Sequence, residues 1–349
     1  MSTERSSLLR TVPSPTFTVE DACTIALTHF DLRTSANLLC SYQDQNFCLL
    51  TDSGRKFVLK ISNALETPQV IDLQARALEH IALADPELPI PRTVPTSNGT
   101  DYCLVSDRQG REHMVRLITW IEGQIIAETE AGPALVRKMG QILARLGIAL
   151  RDFSHPAASH KLLWDLKNAA DLLELLPHIE ATDLRARLEK VFNRFVQRVQ
   201  PVISSLRSQV IHSDLNRGNI LISTGEPQTV SGIIDFGDLV HTPLIMDLAI
   251  AAAYHLSDSG DPLERAMPFI LGYHEVTPIG KREADLLIDL MLTRLCTSIT
   301  VQTWQVKLYP ENSEYLLLHN RIAKDTLKYI CAFPADELGQ RIMAACGHA

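Results

Sequence analysis

A chain of 349 residues, 46 % hydrophobic and 21 % charged, is long enough for two lobes, and its composition excludes a fibrous or disordered protein. Its net charge of −8 and pI near 5.8, without any Lys/Arg-rich run, argue against a nucleic-acid partner and favour a pocket for a cationic small molecule. Seven cysteines without a Cys-x-x-Cys pair argue against a disulfide framework or a zinc site and point to a reducing cytoplasm, and no apolar run approaches the ~20 residues of a membrane helix.

Residues 2–16 are rich in Ser, Thr and Pro and aperiodic, so 1–17 is predicted to be a flexible arm. Thr18 then looks like an N-cap with Asp21 three residues on, opening a helix through His29 with Ala22, Ile25, Ala26 and Phe30 on one face. From Ala36 to Ser62 the pattern changes to short strands. Leu38-Leu39-Cys40 and Phe47-Cys48-Leu49-Leu50 flank the polar loop Ser41-Tyr42-Gln43-Asp44-Gln45-Asn46, and the Asp52-Ser53-Gly54 turn leads into Lys56–Ile61. Lys60, inside that last apolar strand, is costly to bury unless it meets negative charge. It is either an edge lysine reaching solvent or one that grips phosphates.

A helix is expected over Pro68–Ala84, ended by Pro86, Pro89 and Pro91, followed by strands at Val94, Tyr102–Val105 and Met114–Ile118. The first lobe, 18–118, is thus a small sheet of about five strands with a helix. Beyond the connector Thr119–Gly123 the chain is mostly helical, which assigns 119–349 to a second lobe. Leu135 to Leu150, Leu184 to Val199, Met246 to His255 and Lys281 to Trp304 all carry helical spacing.

The stretch that carries chemistry is 210–238. Two apolar runs flank a turn at Thr224-Gly225-Glu226-Pro227, so it is expected to form a β-hairpin with a polar loop at each end. The first loop holds His212-Ser213-Asp214 and Asn219, and the second holds Asp235-Phe236-Gly237-Asp238. Either short motif alone is a common loop sequence. Together, in this order, they supply what phosphoryl transfer from a nucleotide requires. Asp214 is placed to accept the proton of an attacking hydroxyl, and Asn219 and Asp235 offer hard oxygens to Mg²⁺. His212 is expected to be a half-buried ring bracing the loop, and Asp247, in an apolar helix start, to satisfy loop N–H groups.

With these motifs in order, the chain resembles the aminoglycoside phosphotransferase/choline kinase family from about residue 18 to 345. The resemblance implies a protein-kinase-like α+β fold with a small antiparallel N-lobe and a larger helical C-lobe. It implies Asp214 as catalytic base, Asn219 and Asp235 as metal ligands, Lys60 as the phosphate-binding lysine, and Thr119 and Ile121 as backbone contacts to the purine. The glycine-free loop 41–46 would cover the phosphates through side chains such as Gln45 and Asn46. Gln74 stands where the family carries a glutamate for the strand lysine, with Glu66 and Glu79 as the acidic alternatives, and Arg217 is either a second phosphate cation or a solvated loop residue.

Softer features resemble the hydroxylysine kinase branch: Ser41–Phe47, Asp72-Leu73-Gln74, Phe153–Ala157, Trp164-Asp165-Leu166 and Asp235–Pro243. They imply 5-hydroxylysine as acceptor and GTP or ATP as donor; homoserine, choline, methylthioribose and aminoglycosides stay open as acceptors. A nucleotide-binding regulatory module and a structural partner of another enzyme are the readings from other classes. For an amino-acid acceptor, Asp238 or Asp165 would meet the ammonium and Trp164 or Trp304 would form an apolar wall. An aspartate at a helix start is more often a cap and a tryptophan more often core. The partners expected are a small hydroxyl substrate and a nucleotide, with neither nucleic acid nor membrane, and oligomeric state is left open.

Overall fold

A computed structural model describes residues 14–41, 43–126, 131–226, 228–308 and 313–348. Most of the expected arm (1–13), together with Tyr42 and Pro227, lies outside the described residues. The chain divides into two compact units. One comprises residues up to 123 with 155–158 and 231–234, and the other comprises 124–154, 159–230 and 235–349. No helix among the described residues is long and apolar enough to cross a membrane.

In the first unit, helix α1 (Val19–Phe30) opens with a full capping box: Thr18 Oγ1 accepts from the Asp21 N–H at 3.1 Å, and Asp21 Oδ2 accepts from the Thr18 N–H at 2.8 Å. Strands β1 (Thr34–Leu39), β2 (Gln45–Thr51) and β3 (Lys56–Ile61) follow, then α2 (Pro68–Ala84), β4 (Thr93–Val94), β5 (Cys103–Ser106) and β6 (Glu112–Thr119). They form an antiparallel sheet in the order β1-β2-β3-β6-β4, with β5 also on β6. The sheet has six strands rather than about five, because the residues around Val94 pair with β6 only briefly and through a long connection. Alternation along β2, β3 and β6 sends Phe47, Leu49, Phe57, Leu59, Ile61, Val115 and Leu117 to one face, against Ala22, Ile25, Ala26 and Phe30 of α1.

That alternation decides where Lys60 goes. It falls between Leu59 and Ile61, so its side chain leaves from the other face, directly opposite Asn46 on β2 and Arg116 on β6. Lys60 and Arg116 are both buried.

The second unit is mostly helical: α3 (Pro133–Ala149), α4 (Thr182–Arg198), α5 (Ile245–Ala253), α6 (Ala266–Val276), α7 (Lys281–Leu308), α8 (Ser313–Ile330) and α9 (Ala335–Ala345). Helices α3 and α6 cross through glycines: a Cβ on Gly140 would lie 2.0 Å from the Phe269 carbonyl oxygen, and one on Gly272 would lie 2.0 Å from that of Arg137. Arg194 and Arg198 of α4 clamp the buried Asp289 of α7, with the Arg198 Nε to Asp289 Oδ2 distance at 2.8 Å.

Two short strands of this unit, Ser208–Ile211 and Val240–Pro243, pair antiparallel with Ile211 opposite Val240. The loop after Ile211 and the loop before Val240 therefore emerge side by side. The intervening turn is closed by the Ser223 N–H donating to the Thr229 carbonyl at 3.0 Å.

Candidate active site

The first loop is anchored from below. Asp247, buried near the start of α5, accepts the Ser213 N–H on Oδ1 at 2.9 Å and the His212 N–H on Oδ2 at 3.4 Å, the role expected of it. Burial holds its carboxyl above the usual range, while the charge of His212 and these two N–H groups pull it back. Ser213 needs this hold because its φ is 66°, a left-handed backbone that serine rarely adopts. His212 is completely buried, not half-buried; its Nδ1 accepts the Asp214 N–H at 3.3 Å, and its ring meets the edge of Phe236 at 4.8 Å. The packing of Phe236 under the loop removes the solvent face that sequence spacing suggested.

Asp214 is the centre of the constellation. Its Oδ2 accepts from Asn216 Nδ2 at 3.0 Å and Asn219 Nδ2 at 3.1 Å, and its Oδ1 accepts from Arg294 Nη2 at 2.7 Å. Burial pushes its carboxyl up to about 6; the charge of Arg294 lowers it, that of Asp235 raises it, and the Asn216 bond lowers it again. The loop stays tight because Gly218 donates to Asn216 Oδ1 at 2.6 Å, and a Cβ on Gly218 would sit 3.0 Å from that oxygen.

Asn219 donates its amide nitrogen to both the carbonyl and the carboxylate of Asp214, at 2.8 and 3.1 Å, which turns its own amide oxygen away from them. Asp235 sits at φ 62°, a second non-glycine residue in left-handed backbone, and its charge is felt by Asp214. One carboxylate and one amide oxygen, both hard, fit Mg²⁺, which takes few protein ligands and fills its shell with phosphates and water.

Arg294, which the sequence reading missed, stands on α7, 80 residues beyond Asp214. Its Nη2 and Nε also donate to the Tyr254 hydroxyl at 2.9 and 3.2 Å, and its guanidinium carbon lies 5.2 Å from the Trp164 ring centre and 5.6 Å from that of Tyr254. Its Nη1 is buried and meets no acceptor among the described residues. A buried donor left this way costs about 1–3 kcal/mol. An arginine in an apolar helix stripe was the available signal.

Trp164 therefore lies with the Asp214 group, whereas Asp165 serves a different end. Asp165 is buried, accepts the Lys167 N–H at 3.1 Å and the Thr242 hydroxyl at 2.9 Å, and pairs with Lys167 Nζ at 3.1 Å, so it caps the 3₁₀ segment Leu166–His178. It thus serves the fold as a cap through Oδ1, while its buried Oδ2 faces the Lys167 ammonium. Asp238 closes the turn Phe236–Asp238 and contributes charge near Arg294.

In the first unit, the Gln45 amide clasps the backbone of Phe17, accepting the N–H on Oε1 and donating Nε2 to the carbonyl, both at 2.8 Å. Asn46 shares the face of Lys60. Thr119 keeps its strand position, but its N–H donates to the Arg92 carbonyl and its hydroxyl accepts the Arg92 N–H, both at 2.9 Å. Both groups are thus engaged by the Arg92 backbone. Ile121 follows the strand, half-buried. Of the residues considered for Lys60, Glu79 is tied to Arg76, Glu66 lies within electrostatic reach of Arg116, and Gln74 is buried in α2. Arg217 donates to the Ile126 carbonyl at 3.5 Å, and burial holds its guanidinium below the usual range.

A small antiparallel unit with a buried strand lysine, and a larger helical unit with this Asp, Asn and Asp set, define a small-molecule kinase of protein-kinase-like architecture. The chain belongs to the phosphotransferase enzyme family, which it matches over residues 41–279. It is 31 % identical over 325 residues to the hydroxylysine kinase of Bos taurus, covering 87 % of this chain and 86 % of that protein. With the hydroxylysine kinase of Mus musculus it shares 29 % identity over 327 residues, 87 % of this chain and 86 % of that one. Among solved structures, a microcompartment-associated aminopropanol kinase superposes with a TM-score of 0.69 at 18 % identity, over 95 % of this chain and 99 % of that one.

Proposed function

We propose that this protein transfers the γ-phosphate of a nucleoside triphosphate, GTP or ATP, to the hydroxyl of a hydroxylated amino acid, 5-hydroxylysine first among them, in the cytoplasm. The observation that carries the reading is Asp214, a carboxylate fixed by three side-chain donors beside Asn219 and near the charge of Asp235. The acceptor is suggested by the name borne by relatives about 30 % identical over most of the chain.

Asp214 accepts the proton of the hydroxyl as the phosphoryl group arrives, and with its carboxyl near 6 it is mostly ionised at neutral pH. Asn219 and Asp235 hold Mg²⁺, which when bound offsets the negative charge of the phosphates. Lys60, with Arg116 opposite it in the sheet, takes phosphate oxygens, and Asn46 on the same face supports them. Thr119 and Ile121 contribute backbone contacts to the purine. Asp238 meets the substrate ammonium, and Trp164 forms an apolar wall.

Phosphate transfer from GTP and from ATP to 5-hydroxylysine, homoserine, choline, methylthioribose and an aminoglycoside, measured in parallel, tests the reading. Turnover of 5-hydroxylysine with the highest kcat/KM is expected. Turnover of choline or an aminoglycoside with 5-hydroxylysine inert would remove the acceptor and leave the phosphotransferase.

A further inference from the structure

The proton transfer uses Asp214 and explains only one edge of Arg294. A guanidinium offers five N–H donors in a planar fork suited to carboxylates. Here Nε and Nη2 are engaged by the Tyr254 hydroxyl and Asp214, and the face is flanked by the rings of Trp164 and Tyr254. The side chain is 3 % exposed and cannot turn without breaking these contacts, yet Nη1 meets no acceptor among the described residues. A donor held rigidly and left unsatisfied, one guanidinium width from the proposed base, is the chemistry of an anion subsite.

We propose that Arg294 is a specificity-determining residue whose Nη1 binds the carboxylate of an α-amino acid acceptor, while the adjoining Nη2 holds Asp214. This rests on the amino-acid reading above and deepens it. One side chain then sets the distance between the anchored end of the substrate and the group that takes its proton. The carboxylate reaches Nη1 by displacing the side chains that cover it. An amino alcohol lacking the carboxylate leaves the nitrogen unsatisfied and is disfavoured. The Asp238 charge, felt by Arg294, suits the ammonium of the same zwitterion.

Two substrate pairs test this: 5-hydroxylysine against 1,5-diaminopentan-2-ol, and homoserine against 3-aminopropan-1-ol, each amine being the amino acid without its carboxylate. The selectivity, the kcat/KM ratio within a pair, is measured for the wild type, Arg294→Met and Arg294→Lys. Both members of a pair lose whatever Arg294 contributes through Asp214, so only carboxylate recognition moves the ratio. Arg294→Met is expected to lower it about 10- to 100-fold, the worth of one charge-assisted bond, and Arg294→Lys to fall between. Thermal unfolding and nucleotide affinity check that the variants fold; should the methionine variant fail, Arg294→Lys carries the same comparison.

An unchanged ratio in an enzyme that uses amino acids would overturn the inference alone. A wild type that phosphorylates the amines and not the amino acids would overturn the inference and the amino-acid reading together, leaving the kinase. Failure of both pairs would overturn both.

Discussion

Asp214 gathers donors from its own loop and from a helix far along the chain, and each makes a distinct demand on a substitution. Asp214→Asn keeps the shape and removes the proton acceptor, so kcat is expected to fall about 10²- to 10⁴-fold while the nucleotide dissociation constant stays within a few fold. Steady-state kinetics with a matched binding titration decides this, and retention of most of the kcat would refute the assignment. Asp235→Ala should abolish Mg²⁺-dependent turnover and Asn219→Ala only weaken it, because the carboxylate brings charge as well as an oxygen. Activity of Asp235→Ala across a Mg²⁺ titration would contradict that pairing. At this scale the sequence was most informative where residues lie close together: Asp214, Asn219 and Asp235 are legible because they fall in two short loops that the pairing of Ser208–Ile211 with Val240–Pro243 sets side by side. Arg294 and Arg116 were not, since only tertiary packing brings the first to Asp214 and only sheet register sets the second against Lys60.

Among the elements, the crossing of helices Pro133–Ala149 and Ala266–Val276 depends on Gly140 and Gly272. Alanine at either position sets a methyl against a backbone carbonyl of the other helix, which can yield only by moving the helix. Destabilisation of about 3 kcal/mol, the upper end for overpacking, is expected from urea unfolding. A second element-level effect is pH dependence. His255, at the end of the helix Ile245–Ala253, is buried and stacked on Phe269 at 5.1 Å; burial, with the charges of Arg217 and Arg265, pushes its ring down to about 3. The unfolded chain therefore binds this proton near pH 6.5 and the folded chain only near 3, so the stabilisation is complete above 6.5 and is lost as pH falls toward 3. Between pH 6.5 and 5 this amounts to about 2 kcal/mol. A His255→Leu variant should show a correspondingly flatter dependence in urea unfolding over that range, and an unaltered slope would reject the account. Helix positions were readable from period; the closeness of two helices was not, because a glycine in a helix pattern carries no mark of what it faces.

For the whole molecule, the change from strand-like to helical periodicity was enough to give the α+β class, and the capping signal at Thr18 was matched atom for atom. Sheet order was not legible, because β3 pairs with β6 across more than fifty intervening residues and nothing local encodes that choice. Nor were the bonds by which polar side chains hold the backbone legible, as at Asp165, Thr119 and Gln45. The last of these has a kinetic consequence. The Gln45 amide imitates a peptide unit, presenting a carbonyl to the Phe17 N–H and an N–H to the Phe17 carbonyl, and thereby extends the pairing of β2 with a segment that belongs to no strand. Deuterium should therefore enter the Phe17 amide slowly in the wild type, at a rate governed by release of one side chain rather than of a strand. In Gln45→Glu, whose second oxygen faces the Phe17 carbonyl, uptake should be at least tenfold faster. That amide is then a clock for the departure of the leading segment from the sheet, readable by exchange mass spectrometry without any substrate.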